Sequence, residues 1–285
     1  MMNDDTRFAA FILTRGRPDN VITFRTLLRA GYTGPIYFIV DKNDETISKY
    51  EEVFGANTIK VVDAHGSLTE KRNACFDVAE GLGLTHFMQL DDDYYYFGYR
   101  FDTGARKIRN LDRVFEILVN FYDRTPITSI AFAQGGDHIG GFSGIKLKRK
   151  AMNSFLCSPS RRFSFLGNVN EDVNAYTRLG SVGNIFFTFT GLQLDQKDTQ
   201  SQRGGFTNAY LSNGTYVKSF TSVIYSPSSV RIIMMQSEYK RLHHSVNWKT
   251  AIPMIVPAPE RETKAMRGSV RGANTAPARS GGTRD

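Results

Sequence analysis

Residues 86–93 read His-Phe-Met-Gln-Leu-Asp-Asp-Asp, and this stretch decides the fold because an apolar run ends in three consecutive carboxylates. The run has the length of a buried β-strand. Three adjacent carboxylates repel one another, so they need a cation, hydrogen-bond donors or water close by. Mg²⁺ or Mn²⁺ is suited to this, because such an ion takes one or two protein carboxylates and completes its shell with water and phosphate oxygens. An acidic triplet can also lie in a solvated loop, but its place after a series of strands favours the metal-binding interpretation.

The chain before this stretch alternates short apolar runs with segments whose apolar residues recur every three or four positions. That alternation predicts an α/β fold with a mostly parallel central sheet flanked by helices. Ser67 and Glu70 have the spacing of a capping box and predict the start of the third helix. The predicted strands are Phe8 to Thr14, Ile36 to Asp41, Ile59 to Asp63 and His86 to Leu90, and the predicted helices are Asp19 to Ala30, Asp44 to Phe54 and Thr69 to Leu82.

Polar residues follow each of these strands. Ligands of open α/β sheets gather beyond the carboxyl ends of the strands, so these residues are candidate ligand contacts. Ordinary turns also contain Gly, Asp and Asn, which explains part of the pattern but explains three consecutive carboxylates poorly. The segments are Thr14-Arg15-Gly16-Arg17-Pro18, Asp41-Lys42-Asn43, Ala64-His65-Gly66-Ser67 and Asp91-Asp92-Asp93.

The second half of the chain is less regular, and we expect it to complete the sheet within a single domain at residues 1–256. Residues 257–285 are basic, lack aromatic residues and are rich in Gly, Ala, Ser and Thr, which predicts a disordered tail. The patterns of the second half predict helices at Leu111 to Tyr122 and Asn170 to Leu179 and strands at Ile127 to Ala133, Val223 to Tyr225 and Val230 to Met235, with a very apolar run at Ile185 to Thr190.

The order of features in the first half resembles the nucleotide-binding half of GT-A glycosyltransferases, over roughly residues 8–100. The resemblance implies a Rossmann-like enzyme that uses a divalent metal to move a sugar from a nucleotide-sugar donor. It divides the domain into a nucleotide-sugar-binding half at about residues 1–100 and an acceptor half at about residues 101–256. The features that carry it are a strand leading to Thr14-Arg15-Gly16-Arg17, a strand ending in Asp41, a helix bearing Lys71-Arg72-Asn73 and a strand leading to Asp91-Asp92-Asp93.

This resemblance also implies roles for residues on the donor side. Asp93 is expected to bind Mn²⁺ or Mg²⁺, and Asp91 to bind the same ion or the donor ribose, while Asp92 belongs to the same donor-binding turn. A basic residue of the preceding helix, Lys71 or Arg72, is expected to reach the donor, although both also fit a solvated helix face. Contacts with the nucleoside are implied for Thr14, Arg15, Arg17 and Asp41.

Two later segments resemble acceptor-side features of the same enzymes. Glu171 and Asp172 stand at the start of a predicted helix, where many inverting members carry the base for the acceptor hydroxyl. We favour Asp172 as the base, with Glu171 second, although a carboxylate at a helix N-terminus is also favourable through the helix dipole alone. His243 and His244 match the place of a late metal-binding histidine. Neighbouring side chains point in different directions, so at most one of the two is expected to coordinate.

The chain is basic, with a net charge of +8 and a pI near 9.4. Such a surface attracts polyanions such as nucleic acid. A run of basic residues in the second half supplies candidate acceptor contacts, although the run is also compatible with a solvated face. These candidates are Lys146, Lys148, Arg149, Lys150, Arg161 and Arg162.

The general layout, together with this charge, also resembles the glycosyltransferases of bacteriophages and kinetoplastids that modify hydroxymethylated pyrimidines in DNA. That resemblance implies transfer of a hexose, such as glucose from UDP-glucose, to duplex DNA. We expect inversion at the anomeric carbon because a candidate base is present. Three alternatives stay open: a polysaccharide or lipid-linked acceptor, a catalytically silent nucleic-acid-binding protein, and nucleotidyl transfer on a similar fold.

The composition argues against two classes of protein. No run of about 18 apolar residues is present, and the start Met-Met-Asn-Asp-Asp is acidic, so we expect no membrane segment or secretory signal. We therefore expect a cytoplasmic protein, in the host cytoplasm if it is viral. Cys75 and Cys157 are the only two cysteines, which argues against a disulfide framework and against structural zinc.

Overall fold

The computed structural model describes residues 6–101, 103–135, 145–146, 149–196, 217–235 and 241–253. The chain divides into two compact units, Met1–Pro253 and Met254–Asp285. The second unit, which contains the predicted basic tail at residues 257–285, lies outside the described residues. In the described part of the chain, no helix is both long enough and apolar enough to cross a bilayer.

The first half of the chain forms four parallel strands joined by helices, as predicted. The strands are ordered β3-β2-β1-β4, so their carboxyl ends meet at one edge of the sheet. Ser67 caps the third helix by accepting a hydrogen bond from the Glu70 amide at 3.3 Å, which confirms this predicted helix start. The elements are β1 (Phe8–Leu13), α1 (Ile22–Arg29), β2 (Ile36–Asp41), α2 (Ile47–Phe54), β3 (Ile59–Val62), α3 (Leu68–Gly81) and β4 (His86–Asp91).

The second half extends the same sheet with strands of both directions, in the order β4-β9-β7-β10-β5-β6, and β8 pairs with β10. β9 runs antiparallel to both β4 and β7, whereas β7 and β10 are parallel. The α/β fold with helices on both faces of the sheet is therefore confirmed. The elements are β5 (Tyr94–Phe101), β6 (Gly104–Lys107), α4 (Leu111–Asp123), β7 (Ser129–Gln134), β8 (Ile145–Lys146), β9 (Phe155–Cys157), α5 (Glu171–Gly180) and β10 (Phe186–Gln196).

The last described elements are a helix, a β-hairpin and a short helix. Residues 217–225 form α6, followed by β11 (Val230–Met235), β12 (Arg241–Val246) and α7 (Trp248–Ala251). The predicted strand at Val223 to Tyr225 is thus wrong, because these residues end α6. The buried face of α6 and the turn after it carries serines, Ser219, Ser222 and Ser226. Small polar residues give no apolar helical period. The prediction of a strand therefore followed from Val-Ile-Tyr, three residue types that favour β-strands.

Two hydrophobic layers cover the faces of the sheet. β1 shows the alternation, since Ala10 and Ile12 join one cluster and Phe11 and Leu13 join the other. The first layer includes residues of α1, α2 and α4, and the second includes residues of α3 and α5. α3 and α5 therefore lie on the same face, and this brings the segment before α5 to the edge where β1, β2 and β4 end.

Candidate functional site

The acidic turn is held by Thr23 at the start of α1. The Thr23 hydroxyl donates to the Asp91 carbonyl at 2.6 Å and accepts from the Tyr94 amide at 2.9 Å. The Thr23 amide donates to the Asp92 carbonyl at 3.1 Å. Three hydrogen bonds from one residue fix the backbone around Asp93. Sequence reasoning missed Thr23, because nothing in its neighbourhood distinguishes it from an ordinary helix residue.

Asp92 ties the acidic turn to the loop that follows β1. Its carboxylate accepts a hydrogen bond from the Thr14 hydroxyl at 2.7 Å and pairs with Arg17 at 3.3 Å. Burial raises the pKa of Asp92, and the Arg17 charge and the Thr14 hydrogen bond oppose that rise. Asp92 therefore positions the first loop against the turn.

Asp91 is joined to the start of α5 through Arg72. The Arg72 guanidinium is completely buried between Phe155 and Phe165, donating to Asp91 at 2.8 Å and to Glu171 at 3.1 Å. Burial raises the pKa of Asp91 to about 6, although the Arg72 charge opposes the rise. The sequence predicted that Lys71 or Arg72 reaches the donor, and the burial of Arg72 does not support that role for it.

Asp93 is the least compensated of the three carboxylates. Its Oδ1 is buried and has no hydrogen-bond partner within the described residues. Burial, together with the charges of Asp91 and Asp92, raises the pKa of Asp93 to about 7. A carboxylate that has one oxygen without a donor among the described residues and that repels its neighbours has the chemistry of a ligand for a hard cation.

The predicted histidine ligands lie on another element. His244, on β12, is buried, and its Nδ1 lies 3.5 Å from the Asn170 amide nitrogen. In the part of the chain that the structure describes, no three His, Cys, Asp or Glu side chains form a metal-binding group, so neither His243 nor His244 joins Asp91 and Asp93 in one. Burial lowers the pKa of His244 to about 3, with help from the charges of His243, Lys150 and Lys218.

The other predicted donor residues do meet at the carboxyl edge. Lys71 Nζ donates to the Thr14 carbonyl at 2.8 Å, and burial lowers the pKa of Lys71. Asp41 accepts from the Gly66 amide at 2.8 Å. Although burial would raise its pKa, backbone hydrogen bonds from residues 43 and 66 and the Lys71 charge lower it. Arg15 is exposed and donates to the Gly66 carbonyl at 3.3 Å.

Two further residues of this edge were missed. Tyr50 is fully buried, and its hydroxyl lies 2.8 Å from the Thr14 hydroxyl and accepts from the Arg17 amide at 3.0 Å. Asp44 accepts from the Gly16 amide at 2.8 Å. Both shape the first loop, and the sequence signal was only that Asp44 follows β2 within a few residues.

The predicted acidic pair stands at the N-terminus of α5, after Asn170 in a left-handed conformation with φ of 54°. Glu171 pairs with Arg72, whereas Asp172 accepts a hydrogen bond from the amide of its neighbour Val173 at 2.7 Å. Burial and then the Glu171 charge raise the pKa of Asp172 to about 6. Of the two carboxylates, Asp172 is thus the one without a guanidinium partner within the described residues.

Three of the six predicted basic acceptor contacts, Arg149, Arg161 and Arg162, do not lie open beside the acidic turn. β9 is antiparallel to β4, so Arg161 and Arg162 lie near the start of β4, at the opposite edge from the acidic turn. Arg161 Nη1 donates to three backbone carbonyls between residues 122 and 127, and Arg162 pairs with a carboxylate of α3. Arg149 is buried. These three placements do not support a role in acceptor binding.

The remaining basic candidates are only partly described. Lys146 belongs to β8, and nothing is described of its side chain, while Lys148 lies outside the described residues. Lys150 is half-buried, and its charge acts on His244. Among the predicted basic residues whose side chains are described, Lys150 is therefore the one that lies towards the N-terminus of α5.

Together, these features define an α/β protein whose carboxylate turn and first loop meet an acidic helix start at the carboxyl edge of parallel strands. The family model for TET-Associated Glycosyltransferase matches residues 8–205. The chain belongs to this family. No curated protein matches the chain.

The chain is also similar in fold to solved structures, at low identity. S. aureus TarS 1-349 is 12% identical, with 66% of this chain and 60% of that chain covered and a TM-score of 0.43. The same fragment in complex with UDP-GlcNAc is 13% identical, with 72% and 64% covered and a TM-score of 0.44. A cytidylyltransferase from Leptospira borgpetersenii is 13% identical, with 54% and 61% covered and a TM-score of 0.33. The chain thus spans less than two thirds of the length of each.

Proposed function

We propose that this chain is a glycosyltransferase that moves a hexose from a UDP-sugar, such as UDP-glucose, to the hydroxyl of a hydroxymethylated pyrimidine in duplex DNA, with the help of Mn²⁺ or Mg²⁺. The observation that carries the donor side is Asp93, whose buried oxygen has no partner within the described residues and lies beside two further carboxylates. A cation and the diphosphate that it binds would relieve this repulsion.

On the donor side, Asp93 and Asp91 would hold the cation, and it would neutralise the charge that develops on the departing diphosphate. Arg15 is exposed beside the turn that carries Gly66, and its guanidinium would contact the nucleotide. Arg17 has 21% of its side chain exposed while it pairs with Asp92, and this allows a second contact from the same loop.

On the acceptor side, Asp172 would act as general base. Its carboxylate takes the proton of the acceptor hydroxyl, the oxygen bonds to the anomeric carbon, and the bond from that carbon to the diphosphate oxygen breaks. Attack opposite the leaving group inverts the anomeric configuration. Glu171, held by Arg72, keeps the start of α5 beside the acidic turn.

The DNA acceptor is supported by the positive net charge of the chain. It is also supported by the family name, which describes these glycosyltransferases as TET-associated. Among the described residues, Lys150 and Lys218 act electrostatically on His244, and Lys218 also acts on Asp172. Two positive charges therefore lie near the N-terminus of α5, where an acceptor phosphate would approach.

The test is release of nucleoside diphosphate from a panel that includes UDP-glucose and UDP-GlcNAc, with Mn²⁺ or Mg²⁺, with and without hydroxymethylated duplex DNA. We expect release that requires both the metal and the modified duplex. The Asp93→Asn variant should lose it, and Asp19→Asn, an exposed carboxylate on the same half, should keep it. Release that DNA does not change would reject the DNA acceptor and favour a polysaccharide or lipid-linked one. Release of pyrophosphate would indicate nucleotidyl transfer instead.

A further inference from the structure

A groove lies beside the β11–β12 hairpin, away from the acidic turn, and we call it the hairpin groove. It is lined by residues 227–231 and 245–249 and has a volume of about 630 Å³. These two segments contain two cations, Arg231 and Lys249, and no carboxylate. A groove of one charge sign concentrates ligands of the opposite sign.

Both cations are available to a ligand. Arg231 and Lys249 are exposed, and neither forms a salt bridge with any side chain in the described ranges. Ser229 also lines the groove, is 1% exposed, and has a hydroxyl with no partner among those same residues. Unpaired cations beside hydroxyl and amide groups, such as those of Ser228 and Asn247, are the groups that contact phosphates in protein–nucleic acid complexes.

α5 connects this groove to the proposed base. Trp248 stacks on Tyr176 with ring centroids 5.7 Å apart and an interplanar angle of 15°. The Thr177 hydroxyl donates to the Ser226 hydroxyl at 3.0 Å, which fixes the chain just before the groove. Tyr176 is four residues after Asp172, about 6 Å along the helix axis, which is roughly two nucleotide steps of a duplex strand.

We propose that the hairpin groove binds the phosphodiester backbone of the nucleic-acid acceptor, a few nucleotides from the pyrimidine that receives the sugar. That the bound strand is the acceptor rests on the proposed function, whereas DNA binding by the groove does not. Arg231 and Lys249 contact the phosphates, and the partly exposed Trp248 lies between them and α5. Contacts of this kind give affinity and register without reading sequence.

Two binding measurements on the full chain test this proposal. In the first, a labelled unmodified duplex of about 20 base pairs is titrated at several salt concentrations, with fluorescence anisotropy as the readout. The Arg231→Ala/Lys249→Ala variant should bind the duplex about tenfold more weakly. The slope of its plot of log affinity against log salt should be smaller in magnitude by about two, because two phosphate contacts are lost. The matched control is Arg25→Ala/Lys49→Ala, which removes two exposed cations from α1 and α2.

The second measurement uses Trp248, the one tryptophan of the chain, as a local reporter. Duplex DNA should change its emission in the wild-type protein and the control, and not in the groove variant at the same DNA concentration. Equal weakening in both variants, or DNA binding without a change in Trp248 emission, would overturn the proposal. The proposal would also be overturned if the groove variant bound heparin more weakly but bound duplex DNA as well as the wild-type protein does. That result would assign the groove to another anionic polymer.

Failure of the proposed function gives a different result. Mn²⁺-dependent UDP-sugar binding should be the same in the groove variant and the wild-type protein, because neither cation lies at the acidic turn. If the wild-type protein never glycosylates modified DNA but the groove variant still loses duplex binding, the groove proposal stands and the acceptor assignment fails.

Discussion

At the scale of single residues, Asp172 and Glu171 are neighbours with the same charge and different surroundings. Glu171 has a guanidinium partner, whereas burial and the Glu171 charge raise the pKa of Asp172 to about 6. A base acts in its ionised form, so turnover should fall as the pH drops through about 6. Asp172→Asn should lose roughly 10²–10⁴-fold in kcat and lose this acidic limb. The measurement is kcat against pH from 5 to 9. A limb that persists in the surviving activity of the variant would assign it to another group.

Asp93 differs from its neighbours in what surrounds it, and this predicts a residue-level effect on donor binding. Asp91 has Arg72 and Asp92 has Arg17 and Thr14, whereas Asp93 Oδ1 has no partner within the described residues. Asp93→Asn should therefore abolish the Mn²⁺-dependent part of UDP-sugar binding while the chain stays folded. Titration calorimetry with and without Mn²⁺ measures this directly. Unchanged Mn²⁺-dependent binding in the variant, with Asp19→Asn as the reference, would remove Asp93 from the metal site.

At the scale of elements, Arg72 clamps α3 to both β4 and α5. Two carboxylates and two aromatic rings surround its fully buried guanidinium. Arg72→Met should destabilise the chain by about 3–5 kcal/mol, because it leaves buried carboxylates uncompensated. Adding Glu171→Gln should restore part of that loss. Urea unfolding of both single variants and the double variant measures this coupling, and additive losses would show that the two side chains act independently.

The same scale shows which elements the sequence could predict. The strands and helices of residues 8–91 were predicted to within a few residues, because each carries its own apolar period. β9 has three residues, and its place between β4 and β7 depends on long-range pairing that no local pattern records. The site divides in the same way. The residues after β1, β2 and β4 were predicted, whereas the clamp by Arg72 and the hydrogen bonds of Thr23 require the packing of distant elements.

At the scale of the whole molecule, the carboxylates of the site make stability depend on pH. The pKa values of Asp91, Asp93 and Asp172 are raised to about 6, 7 and 6. The folded chain therefore binds more protons than the unfolded chain between about pH 4 and pH 7, so its unfolding free energy should fall as the pH rises through this window. His244 acts in the opposite direction below about pH 6.5, because its pKa is lowered to about 3. Burial also lowers the pKa of His86, which therefore acts in the same direction as His244. Two histidines oppose three carboxylates, so the downward trend should prevail from pH 5 to pH 8.

This trend predicts how a divalent cation changes the stability of the folded chain. A cation bound by Asp93 takes the place of the protons that are lost as the pH rises, so Mn²⁺ should raise the Tm more at pH 8 than at pH 5.5. In Asp93→Asn, the Tm without metal at pH 8 should exceed that of the wild-type protein, because the amide removes a charge that burial and the charges of Asp91 and Asp92 disfavour. The Mn²⁺ effect should vanish in the same variant. Thermal unfolding of the wild-type protein and the variant, at both pH values and with and without Mn²⁺, measures these differences in Tm. An equal Mn²⁺ shift in the variant and the wild-type protein would place the cation elsewhere, and a lower Tm for the metal-free variant would mean that Asp93 is compensated in the folded chain.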